Sequence, residues 1–545
     1  MLKEVKQALD MKVFHGVLFK SLTADERKRI LRSTSLYKEK YFPSGELEKV
    51  KSRVLVRGDM QKPEFTGESS SPTARIETVF WLLSVGVFLK QIFFKIDFIG
   101  AYLNTPRPEE VQHKHVFLPK EIAAVVVEID PDYKKFVQHD GRILVEMDKL
   151  LYGYKEAGYF WYKLLIAMFV KHGYQQSFWD PCLVFKHDAS GSRAIAISVD
   201  DCLCKVSSTA LKDEIIEMCR ETFGRITIED GPVLNHLGMT LDFTVPEEVA
   251  IGQAKFVSDL AAQIPELKLY DTPMSTAFMD VVPEDDPPCD KERYRSLVMS
   301  CMYGGKRTFP EILFGVCVLA SFVLTATMSH YKRLVRVIGY MASDPKHCLV
   351  IRPGSLNIVV SADASHADHP DCKSHTGGCV GVRGAGNIED AFFIFISVKQ
   401  SLVTKSSMES EVVAQDTMAD WALWSAGVRD DLVSPFDLEE HIIKAAEVEY
   451  RDDAATRRDY DVITLEGDNR SAQIALEKCR GSFKRTKHIL KRYFYITELI
   501  EAGRVVLKWV ASNKLVADLL TKAVETDVFK TLLPKLIGVR RGWGV

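Results

Sequence analysis

Two adjacent aspartates, Asp200 and Asp201, stand between two short runs of alternating apolar residues. The runs at 193–197 and 203–206 have the period of two that is typical of strands, so the pair is predicted to lie at the turn of a hairpin. A third carboxylate, Asp97, ends another short apolar run that also predicts a strand. Three carboxylates at strand ends can hold two Mg²⁺ ions about 3.5–4 Å apart and support in-line phosphoryl transfer. Two solvated acids in an ordinary turn are the alternative for the aspartate pair taken alone.

A second set of carboxylates follows a different pattern of elements nearer the end of the chain. Apolar runs predict strands at 356–361, 377–382, 392–397, 462–465 and 505–510. A helix is predicted to begin at Ser406, which forms a capping box with Glu409 and so gives Glu409 a structural role. Glu411 is then left for metal binding, and residues 516–522 open a further helix. The candidate ligands at the ends of these elements are Asp363, Glu411, Asp468 and Asp518.

Composition limits the kind of protein that carries these acids. The chain has 545 residues and is 46% hydrophobic, which is enough for roughly three or four domains. The net charge is −3, so any binding of nucleic acid has to be local. Eleven cysteines without a Cys-x-x-Cys pair favour a reducing compartment over a disulfide framework or zinc site. The expected location is therefore the cytoplasm, with the nucleus as the alternative.

No part of the sequence predicts a membrane anchor or a histidine metal site. The N-terminus lacks the apolar core of a signal peptide. The longest apolar run, 312–326, is too short to span a bilayer and predicts a buried helix. His113 and His115 alternate on a predicted strand with no cysteine nearby, so a metal role for them is the weaker interpretation.

A local excess of basic residues lies between the third and fourth acids of the second set. Lysine and arginine outnumber acids from Arg470 to Lys508. The predicted helix here has a buried stripe that includes Ile496 and Ile500, with Gly503 as its stop. The basic side chains therefore mostly face outward, where they can contact phosphates.

The order of short motifs resembles the reverse transcriptase of copia-type LTR retrotransposons. The motifs are RVLVRG at 53–58, KID at 95–97, AYLN at 101–104, LYG at 151–153, SVDD at 198–201 and LG at 237–238. The resemblance continues through 307–312, His330 and 340–341 into the ribonuclease H part of the same Pol polyprotein, to about residue 535.

The resemblance implies an α+β polymerase with palm and fingers, followed by an α/β ribonuclease H-like domain. Fingers, palm and an N-terminal extension are expected at 1–245, a helical thumb- or connection-like region at 246–352, and the ribonuclease H-like domain with a tail at 353–545. It implies an RNA-directed DNA polymerase with ribonuclease H activity. Each active site would use two Mg²⁺ ions, with Mn²⁺ as the alternative, and the partners would be an RNA template, a DNA primer, an RNA–DNA hybrid and deoxynucleoside triphosphates.

The resemblance also assigns roles to individual residues. Asp97, Asp200 and Asp201 would form the polymerase site, and the second acid set would form the ribonuclease H site. Tyr102 would lie under the sugar of the incoming nucleotide and exclude a ribose 2′-hydroxyl by its bulk. The other expected substrate contacts are Lys51, Arg53, Glu156, Lys487 and His488.

Two positions depart from the family pattern. Ser198 stands where the family usually has Tyr or Phe. Glu156 stands where it usually has Gln, and a carboxylate near a triphosphate would repel it unless it is turned away. These departures leave two alternatives open: a non-catalytic nucleic-acid-binding remnant, and a chain in which only the ribonuclease H site is active.

Overall fold

The computed structural model describes residues 1–41, 47–61, 69–384, 389–434, 462–477 and 490–541. Lys487 and His488 lie outside the described residues. Lys51 has a described backbone within a strand. Within the described ranges, no helix has the length and apolar character needed to cross a membrane.

The first sheet is built from the N-terminal part of the chain and has its own hydrophobic core. Its strands run in the order β1-β6-β5-β2-β3. The elements up to residue 147 are α1 (Leu2–Asp10), β1 (Phe14–Gly16), α2 (Ala24–Lys28), β2 (Leu31–Tyr41), β3 (Leu47–Val56), α3 (Ile76–Phe88), β4 (Ile92–Phe98), β5 (His115–Leu118), α4 (Lys120–Ile129) and β6 (Ile143–Met147). Strands β2 and β3 pair in antiparallel register.

The second sheet is fully antiparallel, in the order β11-β4-β10-β9-β8-β7. Its remaining elements are α5 (Ala157–Lys171), β7 (Gln175–Gln176), β8 (Leu183–Asp188), β9 (Gly191–Ser198), β10 (Asp201–Val206), α6 (Thr209–Phe223) and β11 (Ile226–Asp230). Strand β4 lies between β10 and β11, so the chain returns to pair the aspartate hairpin with a strand made about a hundred residues earlier. Helix α3 precedes β4 in the chain, and α6 lies between β10 and β11.

The third sheet crosses the boundary that the sequence placed at 245/246. It consists of β12 (Val233–His236), β13 (Met239–Asp242), β14 (Val249–Gly252) and β15 (Cys348–Ile351), in that order. Four helices lie between β14 and β15: α7 (Ala254–Ala261), α8 (Lys291–Gly305), α9 (Leu313–Ala320) and α10 (Met328–Met341). The region expected to be helical therefore contributes two strands to a sheet that begins before it. The long apolar run forms only α9 as a helix and then continues as turns.

The fourth sheet mixes antiparallel and parallel pairs in the order β18-β17-β16-β19-β20. Its elements are β16 (Ile358–Ser365), β17 (His375–Val382), β18 (Ala391–Lys399), α11 (Ser407–Leu432), β19 (Ile463–Gly467), α12 (Arg470–Glu477), α13 (Leu490–Glu501), β20 (Val505–Trp509) and α14 (Thr526–Ile537). The first three strands are antiparallel neighbours, whereas β19 and β20 join in parallel. Two expectations were wrong in detail: β16 extends past Asp363, and residues 516–520 form a 3₁₀ turn instead of opening an α-helix.

One continuous hydrophobic core joins the second, third and fourth sheets. Helix α3 lies within it, with every side chain from Thr78 to Val87 buried. One side of α3 faces β9 and β10, and another faces α11 and β18. The rings of Trp81 and Phe393 pack edge to face, with centroids 5.0 Å apart. The two candidate acid sets therefore belong to sheets that share a single buried helix.

Candidate active sites

The aspartate hairpin forms as the alternation predicted, and its register brings Asp97 opposite Asp201 on neighbouring strands. Val199 and Asp200 make the turn between β9 and β10. The Asp200 carbonyl accepts a 3.0 Å hydrogen bond from the Phe98 amide. The Val199 carbonyl accepts a 2.7 Å bond from the indole of Trp161. Hydrogen bonds from β4 and from α5 thus hold the turn in place.

Val199 adopts a left-handed backbone conformation with φ of 61°. A β-branched residue rarely takes this conformation, which costs about 1–3 kcal/mol and needs support from its surroundings. The two hydrogen bonds to the turn provide that support. The strain therefore lies at the point where Asp200 leaves the sheet.

The carboxylate of Asp201 is engaged by two basic side chains. Lys95 Nζ lies 3.1 Å from Asp201 Oδ1. His236 Nδ1 lies 3.2 Å from Asp201 Oδ2. Burial favours the neutral acid, but the bond to His236 and the charge of Lys95 outweigh it, so the pKa of Asp201 is lowered.

The three second-sheet acids do not form a compact ligand set. Within the described part of the chain, the one group of three acidic, cysteine or histidine side chains with ligand atoms all within 4.8 Å of one another is Asp363, Asp468 and Asp518. Asp97 is exposed and Asp200 is partly buried. As the side chains stand, the second-sheet acids do not fit a two-metal site.

Tyr102 follows Asp97 in a 3₁₀ turn at Ala101–Asn104 and is partly buried. Its ring meets the ring of Tyr152 edge-on, with centroids 5.2 Å apart. Burial and then the charge of Asp200 raise the pKa of Tyr102, while Arg53 opposes them. The guanidinium of Arg53 lies 5.1 Å from the centre of the Tyr152 ring. Tyr102, Arg53 and Asp200 are thus brought into one neighbourhood.

Glu156 lies at the start of α5 and is turned into the protein, with 5% of its surface exposed. Both carboxylate oxygens accept from the side-chain amide of Gln61, at 3.1 and 3.0 Å. The Gln61 oxygen in turn accepts from the Lys155 amide at 3.0 Å. The carboxylate therefore ties the start of α5 to the segment after β3, and this placement gives no support to the expected repulsion of a triphosphate.

Ser198 and Lys51 both lie in strands, at the end of β9 and within β3. The Ser198 hydroxyl is buried and, among the described atoms, has no hydrogen-bond partner. Ser198 faces Asp201 across the β9–β10 pair. Lys51 lies in β3 opposite Lys38 of β2. The histidines His113 and His115 serve separate partners, the Arg29 carbonyl and the Glu146 carboxylate.

The fourth-sheet acids converge at one edge of their sheet. Asp363 lies in β16, Asp468 directly follows the neighbouring parallel strand β19, and Asp518 lies in the 3₁₀ turn after β20. Glu411 projects from α11, which packs on β16. The sequence placed these four residues at the ends of different elements, and the topology explains why they meet.

Crowding of these acids changes their protonation. Burial and the charges of Asp363 and Asp468 raise the pKa of Glu411 to about 9. Burial and the charge of Asp363 raise the pKa of Asp518 to about 7. One oxygen of Glu411 is buried without a hydrogen-bond partner among the described residues. A buried, unpartnered carboxylate oxygen beside three clustered acids is a donor set suited to a hard divalent cation.

Glu409 does have a structural role, although its bond differs from a capping box. Ser406 accepts from the Glu409 amide, as expected. The Glu409 carboxylate accepts from the Lys405 amide at 2.7 Å, one residue before the capping position. Glu409 is therefore committed to the start of α11.

Four residues of these sites were not selected from the sequence. Lys522 Nζ lies 3.0 Å from Asp518 and 3.7 Å from Asp363, and the Thr521 hydroxyl donates to Asp363. The spacing of four between Asp518 and Lys522 was a usable signal, since it is the spacing of helical ion pairs. Lys95 and His236 were the others. No local pattern signals them, because their contact with Asp201 depends on strand pairing.

Residues 21–272 match the model of the reverse transcriptase (RNA-dependent DNA polymerase) family. This stretch of the chain is therefore similar to that family. The mixed α and β architecture fits a reverse transcriptase fold. The hairpin with Asp200 and Asp201, and Asp97 on the strand beside it, lie within the matched residues.

Relatives extend the similarity over most of the chain. It is 24% identical over 513 residues to the retrovirus-related Pol polyprotein from transposon RE1 of Arabidopsis thaliana, covering 93% of this chain and 31% of that protein. It is 23% identical over 534 residues to the corresponding polyprotein from transposon TNT 1-94 of Nicotiana tabacum, covering 96% and 36%. The predicted resemblance to copia-type Pol polyproteins is confirmed. The chain spans about a third of the length of these curated relatives.

A solved structure, the native protease–reverse transcriptase of prototype foamy virus, shows a weak likeness. It is 9% identical, with 96% of this chain and 55% of that chain covered, at a TM-score of 0.25. That score is too low to support a comparison of individual elements.

Proposed function

We propose that the chain is an RNA-directed DNA polymerase that also cleaves the RNA strand of an RNA–DNA hybrid. The polymerase assignment is supported by the family match at 21–272 together with the register that sets Asp97 beside the Asp200–Asp201 hairpin. The nuclease assignment is supported above all by one observation, the gathering of Asp363, Asp468 and Asp518 within 4.8 Å.

The fourth sheet supports a ribonuclease H-like domain. Three antiparallel strands followed by a helix and two parallel strands give the order β18-β17-β16-β19-β20, with the acids at one edge. Asp363, Glu411, Asp468 and Asp518 would hold the divalent cations, Mg²⁺ or Mn²⁺. Bound there, such cations would supply a nucleophilic hydroxide and stabilise the charge on the phosphate.

The chain's own groups prepare that site. Lys522 lies against Asp363 and Asp518 and offsets part of their negative charge. The Thr521 hydroxyl donates to Asp363 and fixes the orientation of its carboxylate. Glu411 holds a proton at neutral pH in the absence of cations, because its pKa is about 9. Loading of the site therefore requires Glu411 to give up a proton.

In the polymerase site we assign Tyr102 and Arg53 to the incoming deoxynucleoside triphosphate. Tyr102 would pack under the sugar, and the exposed guanidinium of Arg53 would meet phosphates. The remaining partners would be an RNA template, a DNA primer and the hybrid they form. The chain would act in the cytoplasm or nucleus.

A second candidate function is a chain in which only the nuclease is active. The specific observation in its favour is the contrast between the two acid sets: the fourth-sheet acids converge, whereas Asp201 is occupied by Lys95 and His236. A non-catalytic remnant is less well supported, because a remnant has no need for a clustered set of acids.

Primer extension on an RNA template and cleavage of a labelled RNA–DNA hybrid test both assignments on the purified chain, first with Mg²⁺ and then with Mn²⁺. Both activities are expected. Cleavage without extension would support the nuclease-only reading, and the absence of both would favour the remnant.

A further inference from the structure

Lys95 is a buried lysine aimed at the polymerase acids. Its side chain is 10% exposed. The ammonium group contacts Asp201 Oδ1 at 3.1 Å and Glu229 at 3.5 Å, and it donates to the Asn235 carbonyl. A lysine is rarely buried unless it is paired, so this position is set by its three acceptors.

His236 holds the other oxygen of the same carboxylate. Its side chain is fully buried, and its Nδ1 lies 3.2 Å from Asp201 Oδ2. His236 and Asn235 are adjacent residues of β12. Both oxygens of Asp201 are therefore contacted by basic groups. Strand β12 supplies His236 and also the Asn235 carbonyl that accepts from Lys95.

We propose that Lys95 is an internal cation that competes with divalent metal for Asp201. The inference rests on the proposed polymerase function, and it accounts for the failure of the second-sheet acids to gather as the fourth-sheet acids do. The ammonium neutralises the carboxylate at the distance of a direct ion pair, so a divalent cation has to displace it. Lys95 is a positioning residue, since it acts through Asp201.

The surroundings of Lys95 provide a place to which the ammonium can withdraw. Glu229 is partly exposed, and its other oxygen accepts from the Asn235 amide at 2.8 Å. An ammonium that leaves Asp201 keeps the Asn235 carbonyl and moves toward Glu229. Availability of Asp201 is thereby linked to strand β12 and to the Leu237–Gly238 turn that follows it.

The test is a Mn²⁺ titration of the full chain, followed by the electron paramagnetic resonance signal of free Mn²⁺. All proteins carry Asp468→Asn, which weakens the fourth-sheet site and simplifies the titration. Lys95→Met keeps the length and apolar stem of the side chain and removes the charge. The matched control is Lys212→Met, which removes another ammonium that is paired with an acid of the same sheet, Asp230, but does not contact Asp201.

Lys95→Met is expected to tighten one Mn²⁺ site by about tenfold or more, because a factor of ten needs only about 1.4 kcal/mol and partly buried charge pairs commonly exceed it. Lys212→Met should leave that affinity unchanged. Adding Asp201→Asn to Lys95→Met should remove the gain. Equal affinity in Lys95→Met and its parent, or a gain that survives Asp201→Asn, would overturn the proposal.

The same proteins separate this inference from the proposed function. Primer extension is measured beside the titration. If Lys95→Met gains Mn²⁺ affinity through Asp201 but neither it nor the parent extends a primer, the competition stands and the polymerase assignment fails. If both extend a primer and Mn²⁺ affinity is unchanged, the polymerase assignment stands and the competition is refuted.

Discussion

At the scale of single residues, the two acid sets differ in what balances their negative charge. Asp201 is balanced by neighbouring bases, so its pKa falls. Glu411 and Asp518 are balanced mainly by protons, because burial and neighbouring carboxylates raise their pKa values. Lys522 relieves only part of that repulsion.

The raised pKa values predict how stability depends on pH without metal. A carboxyl group whose folded-state pKa lies above its unfolded value stabilises the fold below the unfolded pKa and loses that contribution as pH rises through the folded pKa. The pH range over which this stabilisation is lost therefore extends from about pH 4 to about 7 for Asp518 and to about 9 for Glu411. In EDTA, calorimetry should show a melting temperature that falls between pH 5 and 9.

The variant Glu411→Gln tests whether Glu411 causes this fall in stability with rising pH. It should flatten the pH dependence, with a difference between variant and parent of more than about 1 kcal/mol across this range. A variant with the slope of the parent would mean that Glu411 is ionised in the metal-free fold.

Two neutralising substitutions test whether the chemistry is divided between the sheets. Asp200→Asn should abolish primer extension and leave hybrid cleavage intact, and Asp468→Asn should do the reverse, because the two carboxylates lie on different sheets. Both activities are measured on the same preparations. Loss of both activities from one substitution in a folded protein would contradict a two-site chain.

Tyr102 offers a test of substrate choice. Because the proposed role needs the bulk of the ring and not its hydroxyl, Tyr102→Phe should keep discrimination against ribonucleotides. Tyr102→Val should lose much of it and still incorporate deoxynucleotides. Single-nucleotide incorporation with matched ribo- and deoxyribonucleotides measures both, and unchanged selectivity in the valine variant would remove Tyr102 from the nucleotide site.

At the scale of elements, the LYG motif is explained by a close approach of two backbones. Gly153 has a φ of 97°, and a Cβ there would overlap the Val56 carbonyl at the end of β3. The Val56 amide also bonds the Tyr152 carbonyl at 2.7 Å. The motif thus joins the first sheet to the segment that leads into α5.

Gly153→Ala should therefore destabilise the chain by more than about 2 kcal/mol, from backbone strain and overlap together. Gly224→Ala is the matched control, because Gly224 has a φ of 75° but open space around its Cβ position. Denaturant unfolding should show a clearly smaller loss for the control. Equal losses would mean that the overlap at Gly153 is relieved at no cost.

Sequence patterns found the elements that depend on local alternation and missed contacts that depend on pairing. The hairpin at Asp200, helix α6 and the strands of the fourth sheet were predictable from apolar periodicity. The third sheet was not, because β15 returns to β14 after a long helical excursion. The contact of Lys95 with Asp201 was hidden for a similar reason, since it depends on β4 lying beside β10.

At the scale of the whole molecule, the two proposed activities share one hydrophobic core. Hydrogen bonds also join the second-sheet region to α11, which packs on the fourth sheet: Lys205 of β10 donates to the Leu432 carbonyl at 2.9 Å, and Ser177, just after β7, donates to Asp431 at 2.6 Å. The second and fourth sheets should therefore unfold together.

The variant Trp81→Ala tests whether the second and fourth sheets unfold cooperatively. Trp81 is fully buried on α3 against Phe393, so its loss should cost about 3–5 kcal/mol. Hydrogen exchange should show α3 and α11 losing protection together. Phe178→Ala is the control, since that residue lies in the bend between β7 and β8 and its ring is 90% exposed. Loss of protection in α3 alone would indicate separate folding units.

The burial of α3 against two sheets also matters while the chain is being synthesised. Helix α3 ends at Phe88, whereas α11, which covers one of its sides, begins at Ser407. At a translation rate of about 5–20 residues per second, the ribosome needs on the order of 15–60 s to synthesise the residues between the end of α3 and the start of α11. During that interval the nascent chain presents the apolar side of α3 to its surroundings. Chaperone demand should be greatest then and should fall once α11 has left the ribosomal exit tunnel.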